Sequence, residues 1–123
     1  KGGMVGFASY TPFLPKGSDS NIDDCISALD YLINVVGEDQ VGIGTDWVQD
    51  QDLSFFQYLQ KDKGIGRYVT VPYKAVPPMP IGMSKLSQFQ NFVPAMERAG
   101  WSASKIEKVL GINWYLFFKK IWK

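Results

Sequence analysis

Asp46 stands directly after Val41-Gly42-Ile43-Gly44-Thr45, a short apolar run that reads as a buried strand. In open α/β sheets and α/β barrels the carboxyl ends of strands carry the functional groups. A carboxylate there can take up a proton and hand it on; the bland alternative is a helix cap or a loop residue. Asp50 and Asp52 follow closely and bring three carboxylates into one stretch. Such a trio suits a hard cation, but the calcium-loop spacing is missing, and Asp50 and Asp52 are expected to be solvated loop residues. Cys25 lies within an apolar helical pattern and is expected to pack in the core. The 123 residues contain no histidine. The chain by itself therefore builds no Ser-His-Asp triad, no Cys-His pair and no imidazole-ligated zinc site. A single cysteine excludes an internal disulfide and a thiolate metal cluster.

Other signatures are weak. Gly42-x-Gly44 and Gly64-x-Gly66 both lack the third glycine of a dinucleotide fingerprint, and no phosphate-loop Gly-Lys-Ser/Thr run occurs. Thirteen Lys/Arg against twelve Asp/Glu give a net charge of +1, so no nucleic-acid partner is expected. The terminal segment Trp114-Tyr115-Leu116-Phe117-Phe118-Lys119-Lys120-Ile121-Trp122-Lys123 is basic and aromatic. It suits a membrane surface or a helix-binding groove. Docking of its aromatic face on the body is the expected outcome, and no membrane role is expected. No apolar run approaches the ~20 residues that span a bilayer. Lys1-Gly2-Gly3-Met4-Val5 is not expected to act as a signal peptide and reads like a chain entered in mid-fold.

The elements that must position Asp46 follow from periodicity. Met4 to Ala8 predicts a strand, followed by a loop punctuated by Pro12, Pro15 and Gly17. Ser20 or Asn21 caps a helix in which Ile22, Cys25, Ile26, Leu29, Leu32, Ile33 and Val36 form one apolar stripe. Gly37 stands where a left-handed C-terminal cap is expected. Strand, helix, short turn and strand make a βαβ unit, which implies parallel pairing and a right-handed crossover. From 48 to 91 the pattern is irregular. Leu53 to Leu59 predicts one or two helical turns, Lys61 to Arg67 a polar turn, and Val69 to Tyr73 an extended piece. Val76-Pro77-Pro78-Met79-Pro80-Ile81-Gly82 is expected to be neither helix nor central strand. Phe92 to Ala99 predicts a helix ending at Gly100. A further helix opens at Ser102 or at Ser104, the latter making a capping box with Glu107. Gly111 is expected to close that helix, and Asn113 to cap a last one. Two strands are too few for an independent sheet, so the chain is expected to be part of a larger sheet or barrel.

Val41-Gly42-Ile43-Gly44-Thr45-Asp46-Trp47 resembles the last-strand signature of the membrane (renal) dipeptidase family, zinc-dependent peptidases on a (β/α)8 barrel. Met4-Val5-Gly6-Phe7 is similar to that family's seventh strand. Phe92 to Ser102 resembles its helix and Gly-(Tyr/Trp/Met)-Ser turn, and Lys108-Val109-Leu110-Gly111-Ile112-Asn113-Trp114 its Lys-(Ile/Val)-Leu-Gly-x-Asn signature. Phe55-Phe56 followed by Asp62-Lys63-Gly64 is similar to a bacterial branch. Asp46-Trp47-Val48-Gln49 departs from the frequent Asp-Phe-Asp-Gly, as do Tyr115 to Phe118 and Gly6-Phe7-Ala8 from their counterparts.

The resemblance implies an α/β fold: the C-terminal part of a (β/α)8 TIM-type barrel, with its last two strands and following helices. Residues 1–123 would be a single fragment of one barrel domain, with 48–91 an irregular insertion over the site. The family holds its zinc ions with a His-x-Asp pair, a bridging Glu and two later histidines, all from earlier strands. Zinc is thus implied for the complete enzyme, with no metal ligand in this chain and no cofactor expected for the chain alone. Asp46 matches the family's strand-eight Asp, implied to be catalytic: it accepts a proton from metal-activated water and passes it to the departing amine. Trp47, with the 48–91 insertion, is implied to shape the substrate-binding rim; Tyr10, just past strand seven, is a second candidate substrate contact, with surface packing the expected alternative. The implied partners are a dipeptide or similar small substrate, and the remainder of the barrel, in cis or as another chain. Two alternatives stand beside this reading. One is a non-catalytic or substrate-divergent barrel relative; the other is an independent interaction module using the basic aromatic tail.

Overall fold

The computed structural model describes residues 2–48, 50–59 and 74–122. The expected turn at Lys61 to Arg67 and the extended piece at Val69 to Tyr73 lie outside them. The architecture is α/β, mostly helical with a small parallel sheet. Strand β1 is Val5–Phe7 and strand β2 is Val41–Ile43, joined through helix α1, Ile22–Val36. Helix α2 is Leu53–Leu59, α3 is Phe92–Arg98, α4 is Ala103–Glu107 and α5 is Asn113–Ile121.

The two strands pair in parallel, with Val5 opposite Val41, Gly6 opposite Gly42 and Phe7 opposite Ile43. Alternation along a strand puts Val5, Phe7, Val41 and Ile43 on one face and the glycines on the other. The apolar face joins the core. Phe7, Val41, Cys25, Ile26, Leu29, Phe92, Met96, Trp101, Ile106 and Val109 are all buried in one cluster.

Helix α1 begins where the sequence places it. The Asn21 side chain accepts from the Asp23 and Asp24 amides, and the Asp24 carboxylate accepts from the Asn21 amide at 2.9 Å, a reciprocal capping box. Gly37 ends the helix with φ 96° and ψ 151°, so its φ is positive as expected, but its ψ is extended and not left-handed helical.

The C-terminal helices open at one of the two expected serines and differ from expectation at Gly111 and Asn113. Ser102, not Ser104, caps α4, accepting from the Lys105 amide at 3.2 Å. Gly111 does not close the helix. The backbone passes from α4 through one π-helical turn, Lys108–Ile112, directly into α5. Asn113 does not cap α5, because its side chain is used elsewhere: its amide donates to the carbonyls of Glu38 at 2.7 Å and Val41 at 2.8 Å.

That contact shows how α5 is fixed to the sheet. The Gly44 amide donates to the Phe7 carbonyl at 2.9 Å, so the alternate backbone groups of β2 face β1. The carbonyls of Val41 and Ile43 therefore point to the opposite edge. They accept from the Asn113 amide and, at 3.0 Å, from the Trp114 indole N–H. The Trp114 ring also covers the glycine face: a Cβ on Gly6 would lie 3.3 Å from it, and one on Gly42 would overlap it. The aromatic face of the terminal helix docks on the sheet at Trp114. Tyr115 and Trp122 stay exposed. Among the described residues, no helix is long and apolar enough to cross a membrane.

Candidate active site

Past the carboxyl ends of the strands the chains stay together. The Ser9 amide and hydroxyl both donate to the Thr45 carbonyl, at 3.0 and 2.9 Å. This tie brings Tyr10 and Asp46, the next residue on each segment, to the same end of the sheet. Asp46 adopts φ 61°, the left-handed region that Asp tolerates better than most residues. Its amide donates to the Gly44 carbonyl, closing a tight turn around Thr45. The side chain of Asp46 is exposed.

Asp46 and Tyr10 both line an open cavity of about 280 Å³. Phe13, Val48, Phe56, Val76, Pro77 and Met79 complete its walls. Each wall comes from a different segment. Tyr10 and Phe13 belong to the loop between β1 and α1 and meet edge to face, with centroids 5.1 Å apart. Phe56 belongs to α2. Val76, Pro77 and Met79 come from the proline-rich segment, which is pinned over the site by the Thr11 hydroxyl donating to the Pro78 carbonyl at 2.7 Å. That segment is further tied by the Ile81 amide to the Ser20 carbonyl and by the Ile22 amide to the Ile81 carbonyl. The 48–91 stretch thus contributes Val48, Phe56, Val76, Pro77 and Met79 to the cavity.

The expected site residues divide. Asp46 and Tyr10 face the cavity, whereas Trp47 is not among its lining residues. The Trp47 ring is partly buried against the core, and its amide donates to the Thr45 hydroxyl at 3.4 Å. Trp47 backs the Asp46 turn from the core side. Nothing in the sequence marks Phe13, Phe56, Val76 and Met79 as individual site residues, because isolated aromatic and aliphatic residues in loops carry no chemical signature of their own.

The other candidate groups are structural. The Asp52 carboxylate caps α2, accepting from the Ser54 amide at 2.9 Å and the Phe55 amide at 3.2 Å. Its bond from the Ser54 hydroxyl, then that from the Phe55 amide, hold its pKa below the usual value. Cys25 is fully buried, and desolvation, with the nearby Asp24 charge, pushes its thiol up to about 12. Among the described residues no three His, Cys, Asp or Glu side chains group as metal ligands. With histidine absent from the sequence, the donors of this chain do not by themselves fit a zinc site.

Comparison with known proteins agrees with the sequence resemblance. The family model described as membrane dipeptidase (peptidase family M19) matches residues 1–60. A solved amidohydrolase from Pseudomonas aeruginosa is 40% identical, with a TM-score of 0.88, over 98% of this chain and 37% of its own. A metallopeptidase from Rhodobacter sphaeroides, solved with a phosphinate mimic of the dipeptide L-Ala-D-Ala, is 23% identical with a TM-score of 0.67, over 98% of this chain and 28% of its own. An uncharacterised protein from the pqqA 5′ region of Klebsiella pneumoniae is 23% identical over 99% of this chain and 36% of its own length. The chain therefore spans only about a third of the relatives it matches.

Proposed function

We propose that this chain, similar to the membrane dipeptidase family, is the C-terminal part of a (β/α)8 barrel hydrolase that cleaves dipeptides. β1 and β2 would be the seventh and eighth strands, and 48–91 an insertion over the site. The single observation that carries this reading is the position of Asp46. It stands at the carboxyl end of the last strand, with a positive φ, and lines a cavity that Tyr10 also lines. That is where barrels carry their chemistry.

The complete protein would carry zinc on ligands supplied from outside this chain. Asp46 is the proton carrier. As a carboxylate it accepts a proton at the reacting centre and delivers it to the nitrogen of the departing amine, converting a poor leaving group into a neutral one. Tyr10 stands on the adjoining strand end, in position to touch substrate. Trp47 holds the turn that aims Asp46.

A second reading is favoured by one observation. The 40% identical Pseudomonas chain is described as an amidohydrolase, so the same site could act on an amide other than a dipeptide.

The test is hydrolysis of a panel of dipeptides by the complete protein, before and after chelation, with zinc then restored. The expected result is cleavage that is lost with the metal and regained with zinc. No cleavage of any dipeptide by the zinc-loaded protein overturns the reading. Cleavage of other amides by that same material moves the assignment to the second.

A further inference from the structure

The cavity beside Asp46 is walled almost wholly by apolar side chains. Three of them, Phe13, Val48 and Val76, are 72%, 41% and 43% exposed. Single exposed apolar residues are ordinary; several gathered around one concave site mark an interaction surface. The site is also held in shape before any ligand arrives. Thr11 latches Pro78, the Ser20–Ile81–Ile22 backbone bonds clamp the next turn, and Pro77, Pro78 and Pro80 restrict the chain between them. The only charged group lining the cavity among the described residues is Asp46. The part of the cavity that this chain walls has a volume of about 280 Å³.

We propose that this cavity receives the side chain of the residue whose amine departs, and that it selects a large apolar side chain at the C-terminal position of the dipeptide. This rests on the reaction proposed above. Asp46 serves the departing nitrogen. That nitrogen and the β-carbon of the same residue are bonded to one Cα, about 2.5 Å from each other. A side chain attached there starts beside Asp46 and has Phe13, Val48, Phe56, Val76 and Met79 within its path. Leucine- and phenylalanine-like groups would displace water from those surfaces; glycine and alanine would leave them wet.

The test uses the complete, metal-loaded protein and two matched series, Ala-Ala, Ala-Leu, Ala-Phe and Ala-Ala, Leu-Ala, Phe-Ala. The expected result is that kcat/KM rises at least about tenfold from alanine to leucine or phenylalanine in the first series and not in the second. Val76→Asp should shrink the ratio of Ala-Phe to Ala-Ala. A binding readout stands apart from turnover. Free phenylalanine, a product of Ala-Phe, should bind the metal-free protein at least about tenfold more tightly than free alanine, and Val76→Asp should erase the difference. Hydrolysis that is indifferent to the C-terminal side chain overturns this inference and leaves the proposed reaction standing. Absence of all dipeptide hydrolysis overturns both.

Discussion

The indole of Trp114 occupies the space that a side chain at position 42 would need. A Cβ built on Gly42 falls 2.6 Å from the Trp114 Cδ1 and closer still to its nitrogen, while that nitrogen donates to the neighbouring Ile43 carbonyl at 3.0 Å. The glycine in the strand and the tryptophan in the terminal helix are therefore one packing unit. Gly42→Ala should destabilise the protein by about 1–3 kcal/mol, read as a lower urea midpoint, because a well-packed ring has to move. Combining it with Trp114→Ala should cost less than the sum of the two single changes, since the clash is gone. Additive effects would show that the ring and the strand do not meet in solution.

Asn113 carries a second, polar, link between the same elements. It is almost fully buried and its amide serves two carbonyls, those of Glu38 and Val41. Asn113→Ala leaves both acceptors without this donor and should cost about 2–3 kcal/mol in the urea midpoint. A change below about half a kcal/mol would mean that water reaches those carbonyls.

The first turn of α1 gives an acid-sensitive feature. The Lys16 ammonium, 2.7 Å from the carboxylate, and then the Asn21 amide hold Asp24 below its ordinary pKa of 3.8. A carboxyl depressed on folding adds stability that is fully present above the unfolded pKa and is lost as pH falls through the folded one. Helix α1 should therefore lose stability as the pH drops below about 3.8, with Asp24→Asn flattening that part of the profile. Thermal melts from pH 6 down to pH 2 check this; identical slopes for both proteins would contradict it.

These residues also mark how far the sequence could be read. Helix α1 was legible because its stripe, its Asn21 cap and its Gly37 stop are local signals that agree with one another. The parallel pairing followed from the order of elements, and the location of Asp46 at the sheet end from its place after β2. Cys25 was legible as a core residue for the same reason as the stripe around it. The last helices were less so. Gly111 and Asn113 look like a stop and a start, yet a π-helical turn absorbs the glycine, and the asparagine bonds to backbone 72 residues away in sequence. A long-range partner leaves no trace in local spacing. The cavity walls were hidden similarly: Phe13, Phe56 and Met79 meet only because Thr11 and Pro78 bring distant loops together.

That Asp46 moves the proton is tested most directly by one substitution. Asp46→Asn keeps the size of the side chain and removes its ability to take up a proton. In the complete, zinc-loaded protein, kcat for a dipeptide should fall about 10²–10⁴-fold, with circular dichroism and metal content unchanged. Turnover within a few-fold of the parent, from folded and metal-replete Asp46→Asn protein, would contradict it.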